Sequence, residues 1–187
     1  ELDITAFRRR VKKTGLPFFG LLLHQTMKAL NAVPELRQRI RGADVVEHET
    51  VHPSFTVMSD DELFGFITID YSEAIPAFLG SGETANAQAR HSVSLWDDPE
   101  RDDLVFVTCI PWVSFTSICH PMHMKPVDSF PRVSLGKFFR EGKKTKLPVS
   151  LQAHHALVDG LHAARFFNGM QELLEEVVFP TAAGAPD

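Results

Sequence analysis

The segment Phe18 to Ala32 constrains the fold more than any other stretch of the chain. It carries Phe18, Phe19, Leu21, Leu22, Leu23, Met27, Ala29 and Leu30, a density of apolar residues that suits a helix buried on several sides rather than along one stripe. Pro34 ends it, because Val33, the residue before the proline, is pushed away from α geometry. The rest of the chain has to supply the cover. With 187 residues, 44% of them hydrophobic and 15 of them phenylalanine, there is enough apolar material for one sizeable core. One domain over residues 1–179 is expected, with 180–187 as a frayed, small and polar tail.

On either side of that helix the chain alternates between the two periodicities. Asp3 reads as an N-cap, with Ile4, Phe7 and Val11 at helical spacing and Gly15-Leu16-Pro17 as the stop. The opposite face carries Arg8, Arg9, Arg10, Lys12 and Lys13 and is read as a solvated face. Strands are expected around Val45, at Phe55 to Met58, Leu63 to Ile69, Leu104 to Thr108, Val113 to Ile118, Arg132 to Phe139 and Leu147 to His154, where β-branched and aromatic residues concentrate. Ser72 to Gln88 reads as a helix broken at Gly80-Gly82. A last helix starts at Asp159, with Phe166, Met170, Leu173 and Val177 as its apolar face. Mixed strands and helices, one layer of each, predict an α/β two-layer sandwich.

The formal charge of -5 gives no general attraction to nucleic acid or to an anionic membrane, so neither is expected as a partner. The longest apolar run, Leu16 to Leu23, is well short of the ~20 residues needed to span a bilayer. Cys109 and Cys119 form no metal-like pair, and their sparse use fits a reducing, cytoplasmic setting.

The segment from His154 to Gly160, two adjacent histidines followed four residues after the second by Asp159-Gly160, is the one that points to chemistry. Imidazole titrates near neutrality, so a histidine at a strand end beside a helix start can accept a proton from a hydroxyl. Asp159, at a tight Asp-Gly turn, can anchor the loop that fixes its tautomer. A metal site of His155, Asp159 and His162 at i, i+4, i+7 is the rival reading. It requires all three on one helix face, whereas Asp159-Gly160 reads as the helix start. His120, Met122, His123 and Met124 form a second metal-like group, and paired side chains of this kind more often pack or face solvent. Cys109 beside Thr108 admits a thiol-nucleophile reading, against which stands the ordinary role of cysteine as a small core residue.

The run from His154 to Phe166 resembles the HHxxxDGxHxxRF signature of the chloramphenicol acetyltransferase family. The stretches Leu2 to Phe7, Asn31 to Arg37, Val51 to Pro53, Pro111 to Ser117 and Gly136 to Phe138 fall in family order. The resemblance covers residues 2 to 175. Dihydrolipoyl acyltransferase catalytic domains share the His-x-x-x-Asp-Gly core and are the more distant likeness. The resemblance implies the family's coenzyme A-dependent acyltransferase fold and direct acetyl transfer from acetyl-CoA, a cosubstrate, to a hydroxyl of a small acceptor, with no tightly bound cofactor and no metal. It implies His155 as general base, Thr108 as oxyanion donor in place of a family serine, and Asp159 as structural support. Lys137, Phe138 and Arg41 take the coenzyme A positions, and Ser134 that of a residue holding a water in the site. Ile118, His120, Met122, Asp128 and Arg132 fall at acceptor-pocket positions. Three of these five are polar or charged, and unpaired they would disfavour an apolar drug, so an acceptor more polar than chloramphenicol is expected. The family further implies a homotrimer with sites between subunits, a role in antibiotic resistance, and an N-terminal segment before Glu1. The alternative is a catalytically silent trimeric relative with a binding or structural role.

Overall fold

A computed structural model describes residues 1–58, 64–89, 101–122 and 127–179. In chain order the elements are β1 (Leu2–Asp3), α1 (Thr5–Thr14), α2 (Phe18–Asn31), a 3₁₀ turn (Pro34–Arg37), β2 (Gln38–Arg41), β3 (Asp44–Glu47), β4 (His52–Met58), β5 (Phe64–Thr68), α3 (Ile75–Ala89), β6 (Leu104–Ile110), β7 (Arg132–Gly136), β8 (Phe139–Glu141), β9 (Lys144–Leu147), β10 (Val149–Gln152) and α4 (Gly160–Glu176). The main sheet has the order β10-β7-β6-β4-β5, with β4, β6 and β7 parallel and the two outer strands antiparallel to their neighbours. A three-stranded sheet β1-β9-β8 and the hairpin β2-β3 flank it.

Alternation along the strands gives the main sheet two unlike faces. Phe55, Ile67, Val105, Val107, Val133 and Leu135 are buried in one cluster with Leu21, Leu23, Phe78, Phe166 and Met170 of the helices. That is the helix-covered face of the expected α/β sandwich, and α2 lies within it with nine of its fourteen residues buried. The other face carries Phe106, Thr108, Arg132, Ser134, Ser150 and Gln152, since side chains of successive residues point to opposite sides. No helix among the described residues is long and apolar enough to cross a membrane.

Several expected elements differ in detail, each for a local reason. Val113 to Ile118 form irregular chain instead of a strand; Val113 is 57% exposed, its N–H donates back to Ile110 O and its carbonyl accepts from Lys137 N, and among the described residues no strand ladder continues along the segment. α3 runs unbroken through Gly80 and Gly82, whose loss of helix propensity is about 1 kcal/mol each and is outweighed by the burial of Phe78 and Leu79. β9 and β10 are separated at Pro148, which has no N–H to donate; its carbonyl instead accepts from Gly136 N. Gly136 also ends β7, so Arg132 to Phe139 is two strands. The N-cap position of α1 is Ile4, and Asp3 acts one residue earlier, its Oδ1 accepting from Thr5 N and Thr5 Oγ1. On α4 the buried stripe is Phe166, Met170 and Leu174, with Leu173 half-exposed beside it. Leu63, the 123–126 segment with His123 and Met124, and the tail 180–187 lie outside the described residues.

Phe166, fully buried between α4 and the rest of the helix layer, gives a direct measure of this packing. Phe166→Ala is expected to lower the unfolding free energy by about 3–5 kcal/mol in urea denaturation.

Candidate functional site

His155 lies in the turn between β10 and α4. Leu157 N and Val158 N both donate to the carbonyl of His154, which closes the chain into a tight turn and turns the His155 side chain outward. His155 Nδ1 is 3.2 Å from the Val158 carbonyl oxygen. A carbonyl can only accept, so Nδ1 carries the hydrogen and the neutral ring presents Nε2 as a lone pair. The Val158 oxygen had no sequence signal of its own, since it is a backbone atom three residues away.

The Asp-Gly part of the motif builds the start of α4. Asp159 Oδ1 accepts from Leu161 N at 2.9 Å and His162 N at 3.3 Å, and Asp159 N donates to His162 Nδ1 at 3.2 Å. This is a reciprocal capping box with histidine in the place usually taken by Glu or Gln. Because His162 Nδ1 accepts, its hydrogen sits on Nε2, which faces Glu35 Oε1 at 3.3 Å and ties α4 to the 3₁₀ turn. The backbone bond from His162 leads the causes that hold the Asp159 carboxyl below its usual range. His155 precedes the first turn of α4, off the helix face that the metal reading required, and no metal-like group of three ligands occurs among the described residues.

A second group forms on the polar face of the sheet. Thr108 is paired with Ser134 across β6 and β7, and Ser134 with Ser150 across β7 and β10, so three hydroxyls make one row. Thr108 is half-buried, and among the described residues its hydroxyl has no hydrogen-bond partner. Ser134 is 1% exposed, and its Oγ lies 2.7 Å from His120 Nε2. His120 is in turn fastened through its backbone: its N–H donates to Gln152 Oε1 at 2.7 Å, and its carbonyl accepts from Gln152 Nε2 at 2.9 Å. Burial first, then the nearby Arg132 cation, hold the His120 pKa below its usual value of 6.5. Gln152 was not singled out from the sequence, where it is one polar residue in an alternating strand.

The premise that the polar pocket residues are unpaired does not hold. Asp128 and Arg132 form a buried ion pair with each other, and Arg132 also donates to Phe130 O. His120 has Ser134. Ile118 and Met122 are half-buried in the same irregular segment.

Lys137 is exposed just beyond β7, its N–H donating to Val113 O, and Phe138 is half-buried with the Arg8 guanidinium 4.9 Å from its ring centre. Both line a largely apolar cavity of about 690 Å³ between sheet and helices, together with Cys109, Trp112, Phe55 and Phe78. Cys109 alternates with Thr108 and faces this cavity, and burial pushes its thiol pKa up, which disfavours a thiolate nucleophile. Arg41 is elsewhere. Its Nε and Nη2 hold both oxygens of Asp102 at 2.7 and 2.8 Å, next to the beginning of β6, whereas Lys137 is at the far end of that strand pair.

The register also separates His155 from Thr108 within one chain. Gln152 is level with Phe106, two residues before Thr108 and two strands away, which puts their Cα atoms about 12 Å apart. His155 is three residues beyond Gln152. The structure therefore brings together Thr108, Ser134 and His120, and separately Lys137 and Phe138, while His155 and Arg41 lie toward the other end of the sheet.

The family model described as Chloramphenicol acetyltransferase matches residues 1–171. A chloramphenicol acetyltransferase from Klebsiella sp is 31% identical over 94% of this chain and 81% of its own length, and chloramphenicol acetyltransferase 2 from Escherichia coli is 30% identical over 95% and 84%. Among solved structures, a chloramphenicol acetyltransferase superimposes with a TM-score of 0.80 at 21% identity, over 92% of this chain and 85% of that one. An Azotobacter vinelandii dihydrolipoamide acetyltransferase superimposes with a TM-score of 0.69 at 20% identity, over 94% and 79%.

Asp159 provides a test of how the motif is built. Asp159→Ala is expected to lower the melting temperature at pH 7, and Asp159→Asn to lower it less, because Asn keeps a capping oxygen. A carboxyl whose folded pKa is depressed stabilises above its unfolded pKa, near 3.8, and loses that contribution as pH falls through the folded value. The parent's advantage over Asp159→Asn in thermal melts should accordingly shrink as the pH is brought below that range.

Proposed function

Because this chain belongs to the chloramphenicol acetyltransferase family, we propose that it transfers an acetyl group from acetyl-CoA to a hydroxyl of a small acceptor, with His155 as the general base. Family membership makes the chain an acyltransferase. The observation that carries the finer reading is the Nδ1 bond of His155 to Val158 O, which leaves Nε2 free to take a proton.

In this reading His155 Nε2 removes the acceptor's hydroxyl proton as the oxygen attacks the thioester carbonyl. The tetrahedral oxyanion is met by the uncommitted Thr108 hydroxyl, a donor with no competing partner among the described residues. When the intermediate collapses the C–S bond breaks, and the proton on Nε2 passes to the sulfur as coenzyme A leaves. The Val158 carbonyl stays bonded to Nδ1–H throughout and favours the transient imidazolium. Lys137 and Phe138, at the wall of the apolar cavity, are the residues proposed to hold acetyl-CoA, with Lys137 as a point charge for phosphate. Arg41 retains that role only by sharing its fork with Asp102.

The separation of His155 from Thr108 supports a site completed by a second copy of the chain, with His155 from one subunit facing Thr108 and Ser134 of its neighbour. Trp112 and Val113, 64% and 57% exposed, supply apolar surface for such an assembly. A cyclic trimer is the closed form proposed. It would be seen as three times the 20.9 kDa chain mass in sedimentation equilibrium.

The main test is release of coenzyme A thiol from acetyl-CoA with a panel of hydroxylated acceptors, chloramphenicol included. His155→Ala is expected to reduce acceptor-dependent release by about 10²–10⁴-fold. Thr108→Val, which keeps the shape and removes the donor, should cost about 10²–10³-fold in kcat, and Thr108→Ser should restore most of it. Acceptor-dependent release unchanged in His155→Ala would refute the assignment of the base.

A further inference from the structure

We propose that His120 is the specificity-determining residue of the acceptor site, selecting sugar-like or polyol acceptors over aryl alcohols. This rests on the acyl-transfer reading and identifies the acceptor class for the same site.

Three attachments hold the residue where an acceptor has to sit. Both backbone groups of His120 are bonded to the Gln152 side chain, and the ring is bonded through Nε2 to Ser134 Oγ. Ser134 is the immediate cross-strand neighbour of Thr108, the proposed oxyanion donor. Phe115 to Met122 is otherwise an irregular segment, so this fastening, rather than a strand ladder, decides where the imidazole lies. Pro121 restricts the following backbone and, through its effect on the residue before it, the backbone of His120 itself.

One polar group remains to be satisfied. With Nε2 committed to Ser134, Nδ1 has no partner among the described residues, and the ring is only half-buried. Burial and the Arg132 cation favour the neutral ring. The titratable groups beside it, Arg132 and Asp128, are paired with each other. A neutral imidazole in this position offers one nitrogen as donor or acceptor, according to its tautomer. An apolar ring laid over it would strip that nitrogen of water without replacement, whereas a second hydroxyl on the acceptor would bond to it. On either side of the buried Ser134, the half-buried residues Thr108 and Ser150 continue the same polar row.

The experiment compares kcat/KM for acetyl transfer to two acceptor sets, hexoses and hexitols (glucose, glucosamine, sorbitol) and aryl mono-alcohols (benzyl and phenethyl alcohol). It uses the parent, His120→Leu, His120→Gln and Ser134→Ala, each checked for folding by circular dichroism and for oligomeric state. The parent's best acceptor is expected among the sugars and polyols. His120→Leu should move the polyol-to-aryl ratio of kcat/KM at least tenfold toward the aryl set, chiefly through KM. His120→Gln, whose amide supplies both a donor and an acceptor, should recover most of that ratio. Ser134→Ala, which frees the ring from its anchor, should shift the ratio the same way as His120→Leu by a smaller factor. A parent that prefers an aryl alcohol, or a ratio unmoved in folded His120→Leu, overturns the inference while leaving the acyl-transfer reading standing. A parent silent with both sets and with chloramphenicol overturns the acyl-transfer reading itself.

Discussion

Phe106 is level with Arg132 and Arg132 with Gln152; one step along, Thr108 is level with Ser134 and Ser134 with Ser150. This register across β6, β7 and β10 sorts the side chains into a core face and a chemical face. A slip of one residue would turn Val107 and Val133 toward the polar side and bury Thr108 and Ser134 in the core. Burial of Val105, Val107, Val133 and Leu135 against the helices, each at most 1% exposed, makes such a slip costly. The placement of the hydroxyl row is thus a by-product of packing on the opposite face, which is why a small polar site can be held rigidly without a polar scaffold of its own.

At one end of the polar face the gaps are filled by two stacked rings with a cation against each. The Arg39 guanidinium lies 5.5 Å from the Phe130 ring centre, Phe130 is 5.3 Å from Phe106, and the Arg132 guanidinium is 5.4 Å from Phe106. Arg39 is 1% exposed, and burial lowers its pKa to about 10, which still leaves it charged near neutrality. Its donors reach the carbonyls of Leu36, Gln38 and Leu104, so the charge is dispersed over backbone dipoles while β2 is fixed to the start of β6. The stack fills the space beside Phe106, at the Arg132 end of the β6–β7 pair.

Local chemistry in the sequence carried most of the fold. α2 was legible because its apolar density admits few other environments, and the start of α4 because Asp159 is a strong cap. The two-residue strand β1 and the short β8 had too little periodicity to be read. The failure at Val113 to Ile118 is of a different kind: β-branched and aromatic composition signals a strand only if an edge exists to pair with, and nothing local encodes that edge. The candidate site divides along the same line. The motif around His155 is contiguous and was visible at once, whereas the His120–Ser134–Gln152 contacts join residues 14 and 32 positions apart and depend on a register that no local pattern states. Polar residues at expected pocket positions were found, but whether they were paired was not, and Asp128 with Arg132 turned out to satisfy each other.

The strand directions bear on how such a site could be completed. β10 runs antiparallel to β7 and β6, so a histidine placed after β10 emerges toward the beginning of β6, while Thr108, near the end of β6, is presented at the other end of the sheet. About 20 Å of β6 separates the Arg41–Asp102 pair from the Lys137 end. Flexing the loop at His155 cannot close its separation from Thr108, because the capping box at Asp159 and the two bonds to the His154 carbonyl hold the turn on both sides. A head-to-tail arrangement of copies can, since it brings the His155 end of one chain against the Thr108 end of the next, and a rotation that closes on itself leaves no end unpaired. In the proposed mechanism, the rigidity that orients His155 is the same property that calls for a neighbouring chain.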